Sequence, residues 1–149
     1  IDLASYNVVE ANLDFLLDIV KEYVDVVFAN EDEARAFTGM EPRDALIQIA
    51  DHCLIAVVKI GKQGSYVKSG DELHIISPFL AESIDTTGAG DLYAAGFLYG
   101  LAQNLSLDSC GKIGSLVSSK VVEVLGAKMT QDVWDGIKIQ IDSFVIDKK

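Results

Sequence analysis

The chain has 149 residues, half of them hydrophobic and 23% charged, with 23 acidic against 12 basic side chains and a formal net charge of −11. That size and composition fit one ordinary domain with its own core, and two prolines with no long polar tract argue against disorder. The acidic balance argues against nucleic acid and anionic membranes as partners; no stretch approaches the ~20 apolar residues of a membrane helix, and no signal peptide is visible.

The chain opens on Ile1-Asp2-Leu3-Ala4, a strand-like piece without an initiator Met, and is read as starting inside a larger protein. Asn7 is placed as the cap of a helix to about Tyr23, because Val9, Leu13, Leu16, Leu17 and Val20 recur at helical spacing. Residues 24–29 are β-branched and predict a strand that ends at Asn30. A short helix over 31–37 stops at Gly39, and another starts near Pro42 and ends near His52. Residues 54–60 form an almost unbroken apolar run, which suits a strand buried on both faces. A turn at 61–64 leads to a hairpin of 65–68 and 72–77. Three helices follow, over about 89–103, 107–125 and 130–146. Alternation of strands and helices indicates an α/β fold with a mainly parallel sheet. Such sheets bind ligands at the carboxyl ends of their strands, where Asn30, Lys59-Ile60-Gly61 and residues 85–91 all fall.

The richest segment is Ile84-Asp85-Thr86-Thr87-Gly88-Ala89-Gly90-Asp91, followed by the helix-forming run Leu92-Tyr93-Ala94-Ala95. A turn opening into a helix presents unpaired N–H groups and a positive dipole end, so it attracts anions. Glycines at 88 and 90 let a ligand approach the backbone. Asp91, at the helix start, is placed to accept a proton. An anion cradle beside a base is what phosphoryl transfer to a hydroxyl requires. The bland alternative makes Asp85 a turn cap and Asp91 a helix-start residue. Asn30 and Glu33 likewise have capping-box spacing. Lys59 is either a solvated strand end or a phosphate contact, and Lys62 and Lys128 are read as surface residues. Cys53 and Cys110 lack metal-ligand spacing and read as buried, reduced thiols of a cytosolic protein. His52 and His74 stand apart from the motifs, and Trp134 reads as a packing residue.

Asp85-Thr86-Thr87-Gly88-Ala89-Gly90-Asp91 resembles the carboxy-terminal signature of the ribokinase-like, or PfkB, sugar and nucleoside kinases. Asn30-Glu31-Asp32-Glu33 resembles the family's Asn-x-x-Glu motif, residues 58–65 its strand and turn before a hairpin, and Val124-Leu125-Gly126-Ala127 the loop closing its nucleotide pocket. The resemblance covers essentially all of residues 1–149, as the later half of a family member. It implies a three-layer ribokinase-like α/β fold of which this is the nucleotide-binding and catalytic part. The amino-terminal substrate and lid part is then absent.

The same resemblance implies Asp91 as catalytic base and Gly88, Ala89 and Gly90 as the anion hole. Asn30 and Glu33 would serve the magnesium–phosphate group, Glu33 through water. Gly61 would lie beside the phosphates and Gly64 would shape the turn. Ser115, Ser119 and the Gly126 loop would border the nucleoside, and Asp85 would lie near a monovalent cation such as K+. Lys59 departs from the threonine often found there, yet a lysine still reaches a phosphate as a flexible point charge. Implied cofactors are ATP and Mg2+, with a small sugar or nucleoside as substrate in the cytoplasm. A homodimer, or association with the absent amino-terminal half, is expected. The alternative is a nucleotide-binding piece without turnover. A dinucleotide-dependent oxidoreductase is disfavoured, because Gly88-Ala89-Gly90 lacks the third glycine of that fingerprint.

Overall fold

The apolar runs at 26–30 and 55–59 become adjacent strands in the computed structural model, which describes residues 1–146. Strands β1 (Val26–Asn30) and β2 (Ile55–Lys59) run parallel, in a register from Val26 opposite Ile55 to Asn30 opposite Lys59. The three central residues of each are buried, as expected for strands covered on both faces. β3 (Ser65–Ser69) pairs antiparallel with β2, and β4 (Glu72–Ile76) completes the order β1-β2-β3-β4. On the other side of β1, Asp2 bridges Phe28 in parallel, with Leu3 N–H donating to the Phe28 carbonyl at 3.0 Å. The sheet is therefore mixed: the crossover from β1 to β2 makes its parallel part, and the hairpin makes its antiparallel part.

The described residues divide into two compact units, 1–75 and 76–146. In the first, helices α1 (Tyr6–Ala11), α2 (Leu13–Tyr23), α3 (Glu31–Thr38) and α4 (Pro42–Ala50) accompany the strands. One helix was expected over 7–23, capped by Asn7. Two form instead, and Ser5 takes the first cap position. Asn12 (φ −134°) breaks the run: its amide donates to the Val8 carbonyl at 2.9 Å, the side-chain competition that makes asparagine a poor interior helix residue. α3 ends at Gly39 (φ +74°), whose N–H donates to the Arg35 carbonyl at 2.7 Å, and Pro42 occupies the first turn of α4. Val27, Ala29, Ala56 and Val58 face a core shared with Leu3, Val9, Val20, Phe37, Leu46 and Ile49. Each fully buried aliphatic there contributes about 1.5–3 kcal/mol. Leu46→Ala, at a site with no exposure, would cost about 2–5 kcal/mol.

The second unit carries α5 (Ala89–Ala102), α6 (Leu107–Val121) and α7 (Gln131–Ile146). α5 and α6 approach closely at glycines: a Cβ on Gly96 would stand 3.0 Å from Gly114 Cα, and one on Gly100 would stand 2.9 Å from Cys110 Sγ. Ile113, Leu116, Val117 and Val121 join Met129, Ile137 and Ile141 in a core against which Trp134 packs. α6 stops at Val121, short of the expected 125. The Val122 carbonyl there accepts the N–H groups of Ile84 and Asp85, at 2.7 and 3.2 Å, and the chain turns. Among the described residues no helix is long and apolar enough to cross a membrane. Among the described residues neither cysteine forms a disulfide; Cys110 is buried and Cys53 half-buried, and burial pushes the Cys53 thiol up to about 11.

Candidate active site

The candidate residues form two groups, one in each unit. In the first, Asn30 is both the last residue of β1 and the cap of α3. Its side-chain oxygen accepts the Glu33 N–H at 2.9 Å. Glu33 returns both carboxylate oxygens, one to the Asn30 N–H at 2.8 Å and one to the Asn30 amide at 2.7 Å. The capping box expected from spacing is thus formed, and Glu33 is only 3% exposed. Burial raises the Glu33 carboxyl above its ordinary 4.5, the Asn30 N–H opposes that, Asp2 adds to it, and Lys59 opposes it again.

Lys59, opposite Asn30 at the end of β2, is held by the Asp2 carboxylate at 2.9 Å. It is not a solvated strand end, since its side chain is 15% exposed. Asp2 is a partner that spacing could not reveal. Gly61 opens a short 3-10 turn through Gln63, and Gly64 closes it (φ +99°), taking the Ile60 N–H on its carbonyl at 2.9 Å. Lys62 and Lys128 are exposed, as expected.

The second group surrounds the start of α5. Gly88 (φ +78°) caps the helix without any side-chain cap. A Cβ at 88 would stand 2.8 Å from Ala127 Cβ, so both backbone conformation and space require glycine. Ala89 spends its N–H on the Thr86 carbonyl at 3.1 Å. Among the described residues, the N–H groups of Gly88 and Gly90 donate to no protein acceptor, so both are left open at the helix start. Asp91, in the first turn, is exposed, and among the described residues nothing pairs with its carboxylate.

Asp85 sits at the other end of the turn. One carboxylate oxygen accepts the Thr87 N–H at 2.9 Å and the Thr87 hydroxyl at 2.7 Å; the other accepts the Gly126 N–H at 2.9 Å. These donors hold its carboxyl below the ordinary aspartate range. Ser115 and Ser119 are buried within α6. The Ser115 hydroxyl accepts the Phe79 N–H and donates to the Ser77 carbonyl, both at 3.3 Å, while Ser119 donates to Leu116 of its own helix at 2.7 Å. Both hydroxyls are thus engaged with protein atoms.

Among the described residues no group of three or more His, Cys, Asp or Glu side chains could hold a metal ion directly. The donor set fits Mg2+ at one remove. Glu33 is enclosed, with each oxygen already accepting one hydrogen bond, but a carboxylate accepts about four. Mg2+ keeps several of its waters, so Asn30 and Glu33 fit it through water rather than by direct ligation.

A family model described as pfkB family carbohydrate kinase matches residues 5–133. A probable sugar kinase from Rhizobium etli is similar in structure at a TM-score of 0.88 and 34% identity, over 93% of this chain and 43% of that one. An adenosine kinase from Sinorhizobium meliloti is similar at a TM-score of 0.87 and 34% identity, with the same coverage. A nucleoside kinase from Methanocaldococcus jannaschii is 32% identical over 128 residues, 83% of this chain and 41% of that protein. The chain therefore spans less than half the length of these relatives.

Proposed function

This chain belongs to the pfkB family of carbohydrate kinases, and we propose that it supplies the ATP-binding and catalytic part of an enzyme that phosphorylates a hydroxyl of a sugar or nucleoside. Asp91 accepts the hydroxyl proton as the new oxygen–phosphorus bond forms and the bond to the departing ADP oxygen breaks. The products are a phosphorylated alcohol and ADP. The Gly88 and Gly90 N–H groups stabilise charge on the transferring group, and removing one such donor typically costs about 3 kcal/mol of barrier. Ala89 keeps the turn in shape.

Asn30 and Glu33 would hold Mg2+ through water, and the bound ion would supply charge neutralisation at the phosphates. Lys59 and the turn from Gly61 to Gly64 serve the phosphates. Ser115, Ser119 and the Gly126 loop border the nucleoside, the serines by shaping the wall rather than by touching the ligand. A monovalent cation such as K+ near Asp85 belongs to the same reading, as do a cytoplasmic setting and a homodimer.

The observation that carries the reading is Asp91: an exposed carboxylate, unpaired among the described residues, in the first turn of a helix whose N-terminus has no side-chain cap. A structural cap would have been consumed locally, as Asn30 and Asp85 are. In the full-length protein, Asp91→Asn lowers turnover by about 10²–10⁴-fold while ATP affinity by calorimetry stays nearly constant. Unaltered turnover would remove Asp91 from the base role.

The alternative is a nucleotide-binding piece that does not turn over by itself. Coverage of 43% of the structural relatives favours it for this chain alone. ATP binding without turnover on a panel of sugars and nucleosides supports it; turnover rejects it.

A further inference from the structure

We propose that Asp2 is a positioning residue for Lys59, holding its ammonium over the carboxyl end of β1 as a pre-placed contact for a phosphate. Its use to ATP rests on the reading of Lys59 as a phosphate contact; the pairing itself does not. Register explains how two residues 57 positions apart meet. Asp2 bridges Phe28 on one side of β1, and Lys59 stands opposite Asn30 on the other. Residues two apart in a strand share a face, so Asp2 and Lys59 lie on one face of the sheet. Val27, Ala29 and Val58 point to the helix-covered core on the other. The lysine side chain therefore crosses β1 to meet Asp2, over two strand spacings or about 10 Å.

The far end of this strap is itself fixed. One Asp2 carboxylate oxygen accepts the Ala4 N–H at 3.1 Å, and the other accepts the Lys59 ammonium at 2.9 Å. Ala4 is held in the left-handed region, at φ +66°, a costly state for alanine. Such strain persists where surrounding contacts over-determine it. An ammonium carries three donors. Among the described residues Asp2 is the one acceptor that the Lys59 ammonium meets, so two donors stay open to phosphate oxygens. The lysine need not leave Asp2 to bind a phosphate. Holding it in advance spares the nucleotide the entropy of ordering a long, flexible stem.

Charge alone predicts the opposite sign. Asp2 is an anion near an anion site, so its removal favours ATP unless it acts through Lys59. A cycle in the full-length protein separates the two, with ATP affinity read by calorimetry in wild type, D2N, K59T and the double variant. In the K59T background D2N removes a negative charge, and ATP binding tightens. With Lys59 present the same change also loosens the lysine. The gain is then expected to be smaller by about three- to tenfold, or to become a loss. Adenosine, which has no phosphate, should show no such coupling. Asp2→Glu keeps the charge but moves the carboxylate by one methylene. It should weaken ATP binding beside Lys59 and leave K59T unchanged, and this pair carries the test should D2N fail to fold.

Equal effects of D2N in the two backgrounds would overturn the proposal, because Asp2 would then act by charge alone. A larger gain with Lys59 present would also overturn it, since Asp2 would be competing with phosphate for the ammonium. If K59T binds ATP as wild type does, the phosphate reading of Lys59 fails and the role of Asp2 with it. A weakened K59T with equal D2N effects removes Asp2 alone. Calorimetry needs no turnover, so the base role tested by D91N stands or falls separately.

Discussion

The Lys59 ammonium lies 2.9 Å from the Asp2 carboxylate, joining two residues 57 positions apart at the carboxyl end of the sheet. Their side chains are 15% and 29% exposed, so the pair is shielded in a way that surface bridges are not. Removing one partner leaves a half-buried charge uncompensated. D2N and K59M should each cost about 1–3 kcal/mol, and the double variant should cost less than their sum by about 1 kcal/mol. Urea unfolding of the four proteins gives the cycle directly. Additive losses would show that the contact carries no coupling. By the phosphate assignment, K59M should also weaken ATP binding while leaving adenosine binding unchanged.

At Gly88 two costs can be separated. A Cβ there meets Ala127 Cβ at 2.8 Å, and any side chain must also adopt a φ of +78°. Gly88→Ala should destabilise by about 1–2 kcal/mol from the backbone alone, with the clash added. Ala127→Gly in the same background removes the clash and leaves the backbone cost. Thermal unfolding should therefore place the double variant between wild type and G88A. Equal melting of G88A and wild type would refute both terms.

What was legible in the sequence was local. The glycine turn into a helix at 85–91, the capping-box spacing of Asn30 and Glu33, and the apolar runs of β1 and β2 are patterns set within a few residues, and the turn, the box and the two strands form there. What was not legible depends on distant partners or on a single side chain. Val9, Leu13, Leu16 and Val20 keep helical spacing straight through the Asn12 break, because the break is made by an amide bonding backwards and not by a change of pattern. Val122 and Val124 extend the apolar spacing of α6, yet the helix ends where the Val122 carbonyl is claimed by Ile84 and Asp85. Lys59 looks solvated until Asp2 is brought beside it. Ser115 and Ser119 fall within the expected helix, but only packing shows their hydroxyls spent on protein atoms.

Glu33 predicts a pH effect. Burial raises its carboxyl above 4.5, so between 4.5 and the raised value the folded chain keeps a proton that the unfolded chain has released. Stability from this group is therefore fully present below 4.5 and is lost as pH rises through the folded value. Glu33→Gln does not titrate and still accepts the Asn30 N–H. The stability of E33Q relative to wild type should rise from pH 4 towards neutrality, measured by urea unfolding at each pH. A difference that stays constant with pH would mean that the enclosed carboxyl titrates as it does in the unfolded chain.

The same chemical change should have opposite signs at two helical glycines. A Cβ on Gly114 in α6 would stand 2.8 Å from the Tyr93 carbonyl oxygen and 3.1 Å from its ring, while one on Gly136 in α7 would meet nothing within 4 Å. At 114 the obstacle is backbone, so relief requires α5 and α6 to part, and overpacking of this kind costs about 1–3 kcal/mol. At 136 only the helix preference for alanine remains, a gain of about 0.5–1 kcal/mol. Gly114→Ala should therefore lower the urea midpoint and Gly136→Ala raise it, with the denaturant slope unchanged in both. If G114A were neutral, α5 and α6 would not be held at glycine distance.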